Sequence, residues 1–227
     1  MKTELKTKLA AEFEAADFFD KLPTEIENFT LKKICSDADD KFIYFIFDNP
    51  AAHKSLTAYF HEETKEYKVR VKIGLTEFCL TNFFTEDFNH FIKILDAELF
   101  DAIKNLNTPL DVDNDILIAE KNFSAWDYGN DLPKTLEGFE LFASPKNPIK
   151  ITNGSYIIIN YSDFENEREF GIIYNIYTDN FSGESQIGGV NHPLYIFDAK
   201  DLKQLEKILS KNLSLTLQNI KQEVNRE

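Results

Sequence analysis

Two stretches of the chain, 110 residues apart, are close to one phrase: residues 19–31 read FDKLPTEIENFTL and residues 129–141 read GNDLPKTLEGFEL. With Pro23 set on Pro133, Phe13 meets Phe123, Asp17 meets Asp127, Leu22 meets Leu132, Glu27 meets Glu137, Phe29 meets Phe139 and Leu31 meets Leu141. An insertion within ASPKNPIKITNG moves the displacement to 114. Ile43 then meets Ile157, Phe83 meets Phe197, Asp87 meets Asp201, and Lys93-Ile94-Leu95 meets Lys207-Ile208-Leu209. So long a constant displacement predicts a tandem duplication, with a period the size of a domain and not of a solenoid repeat. The expected division is a first unit at 1–107, a linker at 108–114 and a second unit at 115–227.

Within each unit the hydrophobic spacing predicts helix, five antiparallel strands, helix. The opening segments, ELKTKLAAEFEAADFFDKL and the weaker ILIAEKNFSAWDYGNDL, stop at Leu-Pro because proline disfavours helix in the residue before it. The strand segments of the first unit are ENFTLKKI, KFIYFIFD, SLTAYFHE, YKVRVKIGL and EFCLTNFF. Those of the second are EGFELFA, SYIIINYS, EFGIIYNIYTDN, SGESQIGGV and PLYIFD. They are rich in aromatic and β-branched residues, and their connections are too short for parallel crossovers. Phe88, Phe91, Ile92, Leu95, Leu99, Ile103 and Leu106 form the apolar stripe of one closing helix; Leu202, Leu205, Leu209, Leu213, Leu217 and Ile220 form the other. Thr85 and Asp198 are the expected caps, with Glu86, Asp87 and Asp201 in the first turns.

The fold class is therefore α+β, an α-β-β-β-β-β-α unit used twice, each antiparallel sheet covered on one face by helices. That element order is similar to frataxin-like sandwiches and to several other α+β folds, a likeness of order alone that assigns no family.

Charge restricts the partners. The chain holds 39 acidic and 25 basic residues, a net −14, divided as −8 through residue 113 and −6 beyond it. An evenly acidic surface repels phosphate backbones and anionic lipid, so neither nucleic acid nor a membrane is an expected partner, and a protein with a basic surface is. Two cysteines without a CxxC motif, and no apolar run long enough to span a bilayer, point to the cytoplasm.

Chemistry is harder to find. None of the four histidines, His53, His61, His90 and His192, recurs at its displaced position. His61-Glu62-Glu63 falls at an expected hairpin turn, and neighbouring strand residues face opposite ways. Asp111, Asp113 and Asp115 begin like a calcium loop, but Ile116 and Asn122 occupy the positions that need Gly and Glu. The glycines of SGESQIGG match no phosphate-binding loop, and Cys35 and Cys79 sit in apolar strand patterns. No catalytic residue, metal ligand or cofactor is expected.

The candidate contacts are Asp17 and Phe18, and the segment Trp126, Asp127, Tyr128, where acids stand beside aromatic rings and the only tryptophan occurs. The expected function is a non-catalytic acidic protein-binding module, of immunity, inhibitor or adaptor type, engaging a basic partner. The alternative is a small-molecule binder or enzyme whose pocket lies between the repeats, with Asp17, Asp127, Trp126 and His192 converging on it.

Overall fold

The computed structural model describes residues 1–223 apart from Asp39 and Asn153; residues 224–227, the end of the expected second unit, lie outside the described residues. The chain divides into two compact units, Met1–Thr108 and Pro109–Glu227. In the first, α1 (Thr3–Ala15) and α2 (Asp17–Lys21) precede β1 (Glu25–Ile26), β2 (Phe29–Ala38), β3 (Lys41–Asn49), β4 (Lys54–His61), β5 (Glu66–Ile73) and β6 (Thr76–Thr85). These six strands pair antiparallel in chain order, and α3 (Phe88–Asn107) closes the unit.

In the second unit, 3₁₀ turns at Ala119–Lys121 and Phe123–Ala125 and the one-turn α4 (Asp127–Asn130) replace the opening helices. The strands are β7 (Thr135–Leu136), β8 (Phe139–Ala143), β9 (Ile149–Lys150), β10 (Ser155–Asp163), β11 (Arg168–Asn175), β12 (Asn180–Ile187) and β13 (Val190–Pro193). They are ordered β13-β12-β11-β10-β8-β7, with β9 beside β10, and α5 (Leu202–Glu223) ends the unit. Mixed α+β architecture with antiparallel sheets is thus observed, with six and seven strands where the spacing predicted five and five.

The second unit gains β9, beside β10, and β13, beside β12. One further strand in each unit, β1 and β7, comes from the repeated Leu-Pro phrase. It is more than a helix stop: Ile26 pairs with Phe29 across Glu27-Asn28, and Leu136 pairs with Phe139 across Glu137-Gly138, so each phrase makes a two-residue hairpin. Glu27 and Glu137 are both left-handed, at φ 53° and 54°. That conformation costs a non-glycine residue about 1–2 kcal/mol, and tight hairpins require it. A second backbone bond closes each turn: Leu31 N–H donates to the Thr24 carbonyl and Leu141 N–H to the Lys134 carbonyl, both at 2.8 Å.

Two further expectations are corrected. PLYIFD is not a strand: β13 ends at Pro193, which has no N–H for the ladder, and Tyr195–Phe197 forms a 3₁₀ turn. The helix caps are Asp87 and Asp201, not Thr85 and Asp198. Asp87 Oδ1 accepts from His90 N–H and Asp201 Oδ1 from Gln204 N–H, each at 2.7 Å.

The ladders coincide in register. From Lys41↔His61 to Asn49↔Lys54, every β3–β4 pair has a β10–β11 pair displaced by 114, from Ser155↔Asn175 to Asp163↔Arg168. Each ladder is interrupted at the same place, by the extra residue Tyr44 or Ile158. The β4–β5 and β11–β12 ladders match likewise, and the left-handed turn residues His53 and Lys65 recur as Glu167 and Asp179.

Each unit has its own core. Alternating strand residues such as Leu56, Ala58, Val69 and Val71 meet Phe91, Leu95, Leu99 and Ile103 of α3. In the second unit Phe170, Ile172 and Tyr174 meet Leu205, Leu209, Leu213 and Leu217 of α5. Every one of these helix residues is buried, a contribution of about 1.5–3 kcal/mol apiece. Among the described residues no helix is long and apolar enough to cross a membrane.

Candidate functional site

The helix rows that face the cores are flanked by a second row. On α3 it is Phe88, Ile92, Asp96 and Phe100, at four-residue spacing, so these side chains lie along one line beside the buried stripe. Opposite this row, α1 ends at Ala15, Ala16 adopts an extended conformation (φ −96°, ψ 104°), and α2 begins with Asp17. The elbow and the row enclose a groove of about 820 Å³.

Phe18, Leu22, Phe88, Ile92 and Phe100 give the groove its apolar surface, and Glu12, Asp17, Lys21, Lys93 and Asp96 its charges. Phe100 is 51% exposed, high for a phenylalanine on a folded surface. Glu12 is held from behind: Tyr67 Oη–H donates to its Oε2 at 2.7 Å, and Lys8 Nζ stands 3.4 Å from Oε1. Burial, then the Glu12 bond, pushes the Tyr67 phenol far above its ordinary pKa, so it stays a donor. Asp17, Lys21, Lys93 and Asp96 hold no ion pair or side-chain hydrogen bond among the described residues. The ionisable groups of the lining are the carboxylates Glu12, Asp17 and Asp96 and the amines Lys21 and Lys93.

The second unit treats the same place differently. Trp126 stands at the displaced position of Ala16 and has the same extended backbone (φ −81°, ψ 93°), and Phe123 O accepts its N–H as Phe13 O accepts that of Ala16. Its indole is only 7% exposed and belongs to the core. It crosses Gly129, where the first unit has Phe19; a Cβ at 129 would overlap the six-membered ring, so glycine is required there. Indole Nε1–H reaches Glu206 Oε2 at 3.2 Å, on the row of α5 equivalent to Ile92. The whole row changes from Phe88, Ile92, Asp96, Phe100 to Leu202, Glu206, Ser210, Ser214. Tyr128 packs 5.9 Å from the indole, and burial, then the nearby Glu206, raises its phenol pKa.

Of the sequence candidates, Asp17 and Phe18 line the groove of the first unit, whereas Trp126 and Tyr128 are packed into the counterpart elbow of the second and Asp127 is exposed beside them. His192 lies on β13. The α3 residues Asp96 and Phe100 escaped notice in the sequence. The available signal was an aromatic residue off the apolar stripe, Phe100, whose displaced counterpart is Ser214.

Two other clusters stand out. Ligand atoms of Asp40, His61 and Glu63 lie within 4.8 Å of one another. The imidazole is engaged on both sides: Nε2 is 2.8 Å from Asp40 Oδ2, and Nδ1 accepts from Thr64 N–H at 3.3 Å. Asn175 Oδ1 accepts from Thr178 N–H at 3.1 Å at the displaced positions, so His61 performs a turn-closing task that an amide performs equally well. On the sheet face opposite the helices of the second unit, Ser162 donates to Asn160 Oδ1 (2.6 Å) and Asn160 Nδ2 to Glu169 Oε2 (3.1 Å), all three being buried. Glu184 stands across Gly171 from Asn160; burial, then the neighbouring Glu169, raises its carboxyl pKa. Its counterpart is Arg70, paired with Glu77 at 2.7 Å.

No family model matches the chain, and neither a curated protein nor a solved structure does.

Proposed function

We propose that the protein is a non-catalytic acidic binding module, of inhibitor, immunity or adaptor type, whose first unit engages a basic protein partner through the α1–α2/α3 groove. The observation that carries the reading is the groove itself. It exposes aromatic surface beside unpaired charges at a place where the second unit buries an indole. Exposed aromatic residues ringed by charge are the usual composition of a binding hot spot. The net charge of −14 selects for partners of opposite sign and speeds their approach. The coincident ladder registers support a tandem duplication with a division near 108–114, after which one unit kept its groove open.

A photo-crosslinking residue at Phe100 tests this in an extract of the source organism. The expected result is a discrete adduct that weakens as salt rises from roughly 0.05 to 0.5 M and disappears in Ala16→Trp. The same adduct from a crosslinker at Leu215, on the second unit, or none at any salt, would remove the reading.

One observation favours small-molecule binding as the second reading: the groove volume falls within the ~300–1,000 Å³ common for ligand clefts. In that case the groove lined by Glu12, Asp17, Phe88 and Phe100 of the first unit is the ligand site.

A further inference from the structure

We propose that the groove of the first unit receives a tryptophan side chain presented by the protein partner, flanked there by basic residues. This rests on the protein-binding reading and names the occupant. The second unit shows what chemistry fills this site in this scaffold. There the space between the elbow and the helix row is closed by an indole whose ring packs against the core and whose N–H finds a carboxylate on the row. In the first unit the elbow residue is Ala16, and Phe19 takes the inner part of that space, where Gly129 makes room for the indole. The outer part stays open, with Phe88, Ile92 and Phe100 of the row for a flat ring to lie on. Asp96, one turn beyond Ile92 on the same row, is an unpaired carboxylate able to take an indole N–H. Aromatic rings are favoured by such a surface because they bury a large area at the cost of only two side-chain torsions.

Charge decides the flanking residues. Glu12, Asp17 and Asp96 outnumber Lys21 and Lys93 along the groove, and the chain as a whole is strongly acidic. A tryptophan between lysines or arginines is thus matched on both counts, by stacking and by field. The occupant is not a second copy of this chain, whose one tryptophan is Trp126, already buried with its N–H bonded.

The test is a titration of the ¹⁵N-labelled full chain with acetyl-Lys-Trp-Lys-amide, acetyl-Lys-Ala-Lys-amide and N-acetyl-tryptophanamide, read as amide chemical-shift changes. The tryptophan peptide is expected to shift Ala16, Phe18, Ile92 and Asp96 saturably, with a Kd on the order of 1 mM for so small a probe. The alanine peptide should leave them unmoved. Phe100→Ser, which installs the residue of the second unit at an exposed position, should weaken binding roughly 3- to 10-fold. Ala16→Trp should abolish it while the remaining spectrum keeps its dispersion. Equal shifts from the alanine peptide would mean attraction by charge alone and overturn the proposal. N-acetyl-tryptophanamide binding as tightly as the tryptophan peptide would assign the groove to small aromatic molecules and overturn the protein occupant. Groove amides that stay still in all three titrations overturn it as well. If the crosslink at Phe100 nevertheless forms, the protein-binding reading survives with a different occupant.

Discussion

At one elbow the chain carries Ala16; at the other, 110 residues on, it carries Trp126. The backbone is the same at both, extended between a phenylalanine-bearing turn and a short helix. What differs is how the volume beside it is filled. The first unit uses Phe19, stacked 4.4 Å from Phe13 and 5.6 Å from Tyr44, as its core ring, and leaves the outer space empty. The second removes that ring at Gly129 and turns an indole from the elbow over the gap, out to the helix row. One substitution pair thus closes a site in one unit and leaves it open in the other. A scaffold can hold its registers and caps constant while a few side-chain volumes decide whether it presents a surface.

The largest test of this contrast is deletion of the closing ring. Trp126→Ala should cost about 3–5 kcal/mol in urea unfolding, with lost hydrogen-exchange protection confined to the second unit. Ala16→Trp should cost less, about 1–3 kcal/mol, because Phe19 holds the place that Gly129 leaves to the indole and the added ring must turn outward into the groove. Comparable losses from both would break the comparison. Phe19→Gly should also cost at least about 3–5 kcal/mol, and adding Ala16→Trp should restore 1 kcal/mol or more, since that pair is the solution used by the second unit. A double-mutant cycle with no coupling would show that the two elbows are not interchangeable.

Smaller effects sharpen the equivalence. Asp87→Ala and Asp201→Ala should each lose about 1 kcal/mol, and by similar amounts, because both carboxylates accept the same first-turn N–H at 2.7 Å. Glu27→Gly should stabilise the protein by up to about 1 kcal/mol by relieving the left-handed backbone. Glu137→Gly should gain less or lose, since Ser214 Oγ donates to the Glu137 carboxylate at 2.6 Å. Equal changes in thermal midpoint would contradict that distinction.

The smallest effect concerns pH. Glu184 is held above the ordinary carboxylate range by burial and by Glu169, so the folded chain binds that proton more tightly than the unfolded chain does. Stability therefore falls as pH rises through the raised pKa. Glu184→Gln should stabilise the second unit near neutral pH, with the gain vanishing in acid below the ordinary glutamate pKa, where both states carry the proton. Urea midpoints for the two proteins across pH would show it; a constant difference would refute the assignment.

Much of the scaffold was legible in the chain. The stripes Phe91–Ile103 and Leu205–Ile220 follow from helical spacing, and they are buried because a stripe of that width must find a core. The repeated Leu-Pro phrase was visible, but its hairpin was not, because Glu-Asn and Glu-Gly carry only part of the usual turn signal. Pro193 announced the end of β13, yet aromatic residues beyond it imitated a strand. Asp17 and Phe18 could be singled out by composition; the opposite wall, Asp96 and Phe100, could not, since a polar residue and a ring off the stripe look like ordinary exposed helix positions.

By itself the sequence determined the periodicities: where the long central strands run, which helix faces are apolar, and that the two halves share a pattern. These are local properties, set by the two-residue and 3.6-residue repeats of the backbone. Only the tertiary structure decided that one elbow is open and the other closed. That outcome depends on whether the side chain at 16 or 126 reaches a helix row some 80 residues away, and on whether a ring or a glycine stands at 19 or 129. Close packing makes such volumes decisive, and no local pattern records them.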